Sequence, residues 1–265
     1  MRISSLFRLV SLSVLLLLST GAFAQSLSMV GPVQAELTEG RTYTFSWNGG
    51  GLETVNIALE GTCTPLGKVS RGSFSIPLAN RIPAAVGEFS FVIPWIDSAQ
   101  FSVVIKGYDS TGGQVFEDSK SYGFRPAVLA DRTLDGIYVD LHLRVNQRLY
   151  VQKCGRISKI YICSSSQNYH WLPPNRHIDE PHDHAGIFKV IQKSPLYRSK
   201  EFDVDMRWAM RYLSGHFIHA TSKRLYRYLG RPASHGCNRL TLFDAQQLYD
   251  MTPLGTRVEV IGPAG

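Results

Sequence analysis

Ser234-His235-Gly236-Cys237-Asn238-Arg239 follows the run His216-Phe217-Ile218-His219, with His219 eighteen positions before Cys237. The thiolate is the nucleophilic form of cysteine, and a free thiol with a pKa of about 8.5 is only a few per cent ionised at neutral pH. A working cysteine therefore needs a base beside it. His216 to His219 is apolar and strand-like, and Cys237 comes directly after a glycine suited to a tight turn. Two elements joined by a loop can bring that imidazole against that sulfur. Each residue also has a plainer reading: a lone cysteine is commonly a small buried hydrophobe, and a strand histidine is commonly a satisfied core residue.

The flanking sequence is β-rich. Ile137 to Leu141, Ile187 to Val190 and Arg257 to Ile261 read as strands, and Gln147 to Lys153 with Ile157 to Ser164 reads as a hairpin about Cys154-Gly155-Arg156. Leu242 to Asp250 reads as a helix, capped by Thr241 with Asp244 at the position that reaches back to the cap. Nearer the N-terminus, Tyr43-Phe45-Trp47, Val55-Ile57-Leu59, Phe89-Phe91-Ile93 and Phe101-Val103-Ile105 alternate with other residues between Gly- and Asn-containing turns. That pattern predicts an immunoglobulin-like β-sandwich of short antiparallel strands. No catalytic grouping lies in it, so a spacer or positioning module is the expected role. The fold class expected is mainly β, with one or two helices in the C-terminal part.

Arg2 and Arg8 precede the apolar run Leu9 to Leu18, and Ala22-Phe23-Ala24 offers a small-residue cleavage site. This predicts a signal peptide over 1–24 and an exported protein, located in the periplasm or cell wall. The run is shorter than the roughly 20 residues that span a bilayer, and no later stretch is long and uncharged enough for an integral membrane segment. The expected organisation is a sandwich at 25–125, a linker at 126–134 and a catalytic domain at 135–265, with Pro126 ending strand pairing. Charge divides along the same line: residues 25–125 carry net −2 and 126–265 net +7. A basic C-terminal part favours an acidic partner or substrate. An exported chain with no recognisable binding motif argues against nucleic acid as that partner.

His219, fourteen intervening residues, then Ser234-His235-Gly236-Cys237 with Arg239 two beyond, resembles the L,D-transpeptidase (YkuD-type) catalytic domain. The resemblance runs from about Leu134 to Gly262 and takes in Ile160 to Ser165, Gly186-Ile187-Phe188, Met206-Arg207-Trp208 and Gly255 to Val258. Three positions depart from the family pattern: Asn238 after the cysteine, Ala220 after the histidine, and His184-Ala185-Gly186 with the preceding Pro181-His182-Asp183. The resemblance implies that Cys237 attacks a peptide bond in a peptidoglycan stem and that His219 partners the thiolate and protonates the leaving amine. It also implies that the Ala220 carbonyl orients the ring, and that backbone N–H groups around His235, Gly236 and Cys237 serve as oxyanion donors. His235 would shape the cleft, with Ser234, Asn238, Arg239 and Trp208 on the substrate side. Arg239 as a loop brace, and Trp208 and Tyr212 as core packing, are the plainer alternatives.

No cofactor is implied. The acyl acceptor would be a second stem or a wall-attached protein. Water as acceptor gives the alternative of an L,D-carboxypeptidase, endopeptidase or amidase, and a non-catalytic wall-binding protein is a third reading. A zinc peptidase is a rival, because His177-Ile178-Asp179-Glu180-Pro181-His182-Asp183-His184 is rich in ligand types and His216, His219, His235 and Cys237 make a second set. The stretch matches no established ligand spacing and no H-E-x-x-H helix is present, so a solvated loop and no metal is the expectation. Of the other cysteines, Cys154 and Cys163 lie at opposite ends of one hairpin strand, beyond disulfide reach. A bridge from Cys63 to either is left open.

Overall fold

The computed structural model describes residues 26–63, 72–141, 146–166, 171–172 and 183–262. The expected signal peptide and positions 177–182 of the histidine-rich stretch lie outside them. The first eight strands are β1 (Ser26–Val30), β2 (Glu36–Thr38), β3 (Thr42–Gly50), β4 (Thr54–Cys63), β5 (Gly72–Pro83), β6 (Glu88–Val92), β7 (Gln100–Tyr108) and β8 (Gln114–Arg125). They form a sheet β1-β3-β6 and a sheet β2-β8-β7-β4-β5. Phe45, Trp47 and Phe91 from the first sheet share one buried core with Leu59, Val103, Ile105 and Phe124 from the second. The alternation read from the sequence thus places each strand's apolar side between two layers. β5 contains Pro77 and Pro83 and runs along a sheet edge, where a residue without an N–H breaks no ladder.

The remaining elements are β9 (Gly136–Asp140), β10 (Arg148–Lys153), β11 (Arg156–Ile162), β12 (Trp171–Leu172), β13 (Asp183–His184), β14 (Gly186–Lys189), β15 (Gln192–Ser199), β16 (Val204–Leu213), β17 (His216–Ala220), β18 (Asn238–Leu240), α1 (Leu242–Met251) and β19 (Arg257–Ile261). One sheet runs β11-β10-β9-β19-β14 and another β15-β16-β17-β18. Val139, Leu149 and Val258 of the first meet Met210, Ile218 and Leu240 of the second, with Ala245 and Leu248 of α1 closing the core. The β10–β11 hairpin turns at Cys154-Gly155, both at positive φ (51° and 70°), the left-handed pair of a type I′ turn. Thr241 caps α1 by accepting the Asp244 amide at 3.1 Å while its hydroxyl donates to the Asp244 carboxylate at 2.6 Å. Among the described residues, no helix is long and apolar enough to cross a membrane. Cys154 is exposed, Cys163 is fully buried, and both are free thiols, so neither forms the bridge to Cys63 that the sequence left open.

β8 ends at Arg125, but the chain beyond it is not a loose tether. The Arg125 guanidinium grips Glu36 through Nε at 3.0 Å and Nη2 at 2.7 Å, and Nη1 donates to the Leu129 carbonyl and the Gln152 side chain. Arg148, at the start of β10, is 1% exposed and forms a two-pronged pair with Asp97 at 3.0 and 3.1 Å, its guanidinium 5.0 Å from the Trp95 ring. Removing one member of a buried pair strands the other charge, at roughly 3–5 kcal/mol. Arg148→Ala should therefore lose about that much in urea unfolding, and Arg148→Met with Asp97→Leu should recover most of it. A loss below about 1 kcal/mol in the single variant would show the pair to be solvated.

Candidate active site

β17 and β18 run parallel with Ile218 opposite Asn238, His219 opposite Arg239 and Ala220 opposite Leu240. Side chains alternate along each strand and aligned residues share a face. Ile218, Ala220 and Leu240 enter the core between the sheets. Phe217 packs on the other face with Met206, Ala209 and Cys237. His219, Cys237 and Arg239 therefore share that outer face, and strand spacing and rise put the α-carbons of His219 and Cys237 about 8 Å apart on the diagonal.

His219 is 6% exposed, and its Nδ1 lies 2.8 Å from the Ala220 carbonyl. A carbonyl only accepts, so in the neutral ring Nδ1 carries the proton and Nε2 keeps a lone pair. Burial pushes the imidazole down to about 4; the Ala220 hydrogen bond opposes this and the Arg239 charge adds to it. Cys237 keeps part of its surface in solvent, and its thiol donates to the Gly215 carbonyl at 3.7 Å rather than to His219. Burial of the sulfur pushes this thiol up to about 11, against the Phe217 amide and the Arg239 charge, which pull it down. Both shifts favour the uncharged forms, a thiol and an imidazole.

The turn before β18 is braced from inside. Ser234, fully buried, donates its hydroxyl to the Cys237 carbonyl at 2.6 Å and accepts the Gly236 amide at 3.2 Å. Gly236 has φ of 130°, a conformation that only glycine adopts without strain. Its N–H is held by Ser234 in this state and is not free to bind an oxyanion. Arg239 is half-buried and its Nη1 donates to the Ala233 carbonyl at 2.7 Å, the brace alternative. His235 is exposed, and Phe202 from the β15–β16 turn stacks on its ring at 4.7 Å.

Two residues placed on the substrate side by the resemblance lie elsewhere. Asn238 is fully buried and donates to the Tyr212 hydroxyl at 2.8 Å, because the parallel register turns it to the core face. Trp208 packs on Tyr249 of α1, with ring centroids 5.4 Å apart, against the same core and away from the Cys237 face. Gly215, as acceptor for the thiol, and Phe202, as cover for His235, carried no signal in the sequence beyond a turn and an exposed aromatic.

Asp183 and His184, the described end of the histidine-rich stretch, are buried rather than solvated. Both Asp183 oxygens accept the Ser166 amide, at 3.2 and 3.1 Å, and burial pushes this carboxyl up to about 7 against the Ser166 and Ser165 hydrogen bonds. The His184 ring meets His216 edge-on at 4.9 Å, and His216 lies 6.2 Å from Tyr212. Among the described residues no group of three His, Cys, Asp or Glu is placed to hold a metal ion. A cavity of about 420 Å³ lined by Asp97, Ile157 and Phe243 lies where the sandwich meets the second part and includes neither His219 nor Cys237.

Residues 137–260 match the family of L,D-transpeptidase catalytic domains, YkuD. Among solved structures, an L,D-transpeptidase from Stackebrandtia nassauensis is 22% identical with a TM-score of 0.40, over 51% of this chain and 60% of that one. An L,D-transpeptidase from Xylanimonas cellulosilytica is 24% identical with a TM-score of 0.39, over 49% of this chain and 62% of that one. The chain thus spans about three fifths of the length of either protein. An L,D-transpeptidase from Mycobacterium smegmatis is 13% identical with a TM-score of 0.38, over 90% of this chain and 99% of that one. No curated protein matches the chain.

Proposed function

We propose, from the match of residues 137–260 to the family of L,D-transpeptidase catalytic domains, that this protein cleaves a peptide bond in a peptidoglycan stem through a Cys237 thioester and passes the acyl group to an amine. The observation that carries this reading is the tautomer and placement of His219: Nδ1 is tied to the Ala220 carbonyl, and Nε2 is left as a base on the face that holds Cys237. The cycle begins with rotation of Cys237 about χ1, off the Gly215 carbonyl and toward His219. Substrate bound on that face sets the thiol against Nε2, which takes its proton as sulfur attacks the carbonyl carbon. The resulting oxyanion needs backbone donors, and the Gly236 amide becomes one once it leaves Ser234. Nε2–H then protonates the departing amine and a thioester remains. An incoming amine gives up a proton to Nε2 as it attacks, restoring the thiol and forming a new amide. Water in that place gives a carboxylic acid and a shortened stem.

The order β1-β3-β6 against β2-β8-β7-β4-β5 supports the immunoglobulin-like reading of the first unit, as a spacer that positions the second. Export fits a substrate that lies outside the cytoplasm. Incubation with disaccharide-tetrapeptide, followed by product masses, tests the reaction. A cross-linked dimer is expected; a shortened monomer means hydrolysis, and unchanged substrate sinks the catalytic reading.

A further inference from the structure

From Met206 to Phe243 the chain contains no Asp or Glu, yet it holds seven Lys and Arg residues together with His219 and Cys237. Four of these cations, Lys223, Arg224, Arg227 and Arg231, lie on or just after the 3₁₀ turn Lys223–Tyr228 that connects β17 toward β18, and all four are exposed. Residues three apart eclipse one another in a 3₁₀ turn, so Arg224 and Arg227 project from one edge. Arg227 lies 4.8 Å from the exposed Tyr228 ring, and Arg231 Nη2 reaches back to the Arg227 carbonyl at 3.4 Å. Among the described residues none of the four is paired with a carboxylate, unlike Arg125, Arg132, Arg148, Arg198 and Arg257.

The inward side of the same segment is fixed. Tyr226 and Leu229 pack on Ile162, the Tyr226 hydroxyl accepts the Leu242 amide at 2.8 Å, and Gly230 bonds both the Cys163 carbonyl and the Gln147 amide. Ser164 donates to the Tyr228 carbonyl at 2.8 Å and pairs with Arg239, two residues beyond Cys237. The cations are thus held by a rigid support one strand from the nucleophile's turn. An uncompensated, preorganised row of charge serves a partner of opposite sign, since such a field raises the local concentration and encounter rate of anionic groups.

We propose that Lys223, Arg224, Arg227 and Arg231 form a docking surface for polymeric peptidoglycan, whose stems present repeated carboxylates along each glycan strand. This deepens the wall-acting reading and rests on it. Guanidinium groups suit carboxylates because each offers a planar, two-donor fork. Repetition along the polymer lets several weak contacts act together where one stem would gain little. An anionic lipid surface is the competing partner. It is disfavoured because the exposed aromatic of the segment, Tyr228, lies under Arg227 rather than projecting as an apolar anchor.

The test is co-sedimentation of Cys237→Ala protein with purified insoluble sacculi at low and high salt, which measures binding without turnover. Parent protein should sediment at low salt and be released at high salt. Replacing all four cations with glutamine should lower the bound fraction on the order of tenfold, a small factor per exposed charge. Lys153→Gln with Arg156→Gln, two cations on the β10–β11 hairpin, should change it little. Equal binding by parent and quadruple variant, equal loss in the hairpin variant, or binding to anionic phospholipid vesicles but not sacculi would each overturn the proposal. Sedimentation and product masses are independent: sacculus binding can fail while stem turnover persists, and the reverse.

Discussion

Cys237→Ala should bring turnover of stem tetrapeptide down to background, a loss of about four or more orders of magnitude, as expected when a covalent nucleophile is removed. The same substitution should scarcely alter folding. Cys237 lies at the edge of the small cluster of Met206, Ala209 and Phe217, partly in solvent, and loses one sulfur atom with a weak 3.7 Å hydrogen bond. A stability change within about 1 kcal/mol follows. Turnover measured beside a thermal melt separates the two effects. Activity retained in a well-folded variant would remove Cys237 from the mechanism.

His219→Gln should cut turnover by about 100- to 10,000-fold, the range of a lost general acid–base. It should also change the pH behaviour. Burial holds the His219 pKa at about 4, so Nε2 stays available as a base well below neutrality, and the acid limb of kcat/KM should fall near pH 4 rather than 6.5. Stability carries a matching signature. Between 6.5 and about 4 the unfolded chain binds a proton that folded His219 refuses, so stability rises with pH there. This contribution is fully present above 6.5 and is lost as pH falls through 4. Asp183 acts in the opposite sense from 3.8 to about 7, because its folded form holds the proton longer. The difference between wild type and His219→Gln, not either profile alone, therefore isolates the imidazole. Superimposable acid unfolding curves for the two proteins would show that His219 is not buried as described.

Much of the architecture was legible because its determinants are local. Thr241 and Asp244 announce the α1 cap, Cys154-Gly155 announces the hairpin turn, and Tyr43-Phe45-Trp47 announces which side of β3 is buried. The His219 strand and the Gly236 turn were visible for the same reason. What escaped depends on pairing between distant residues. β18 has only three residues, too few for alternation to reveal its faces, so the inward turn of Asn238 to Tyr212 became visible only through the parallel register with β17. The β15–β16 hairpin, with Pro195 in the strand and a charged turn at Lys200-Glu201-Phe202-Asp203, gave no clean period and so hid the contact of Phe202 with His235. Arg148 and Asp97 are 51 residues apart, and nothing near either one forecasts a buried pair. The thiol's preference for Gly215 over His219 is a rotamer, which sequence does not encode.

Trapping the acylated protein addresses the central claim most directly. Purified protein mixed with stem tetrapeptide, quenched in acid within the first turnover and digested, should yield a Cys237-containing peptide heavier by the acyl part of the donor, with the terminal amino acid released. The adduct should be absent from Cys237→Ala. Product formation with no mass added to that peptide, or with the acyl group found on another residue, would contradict the account.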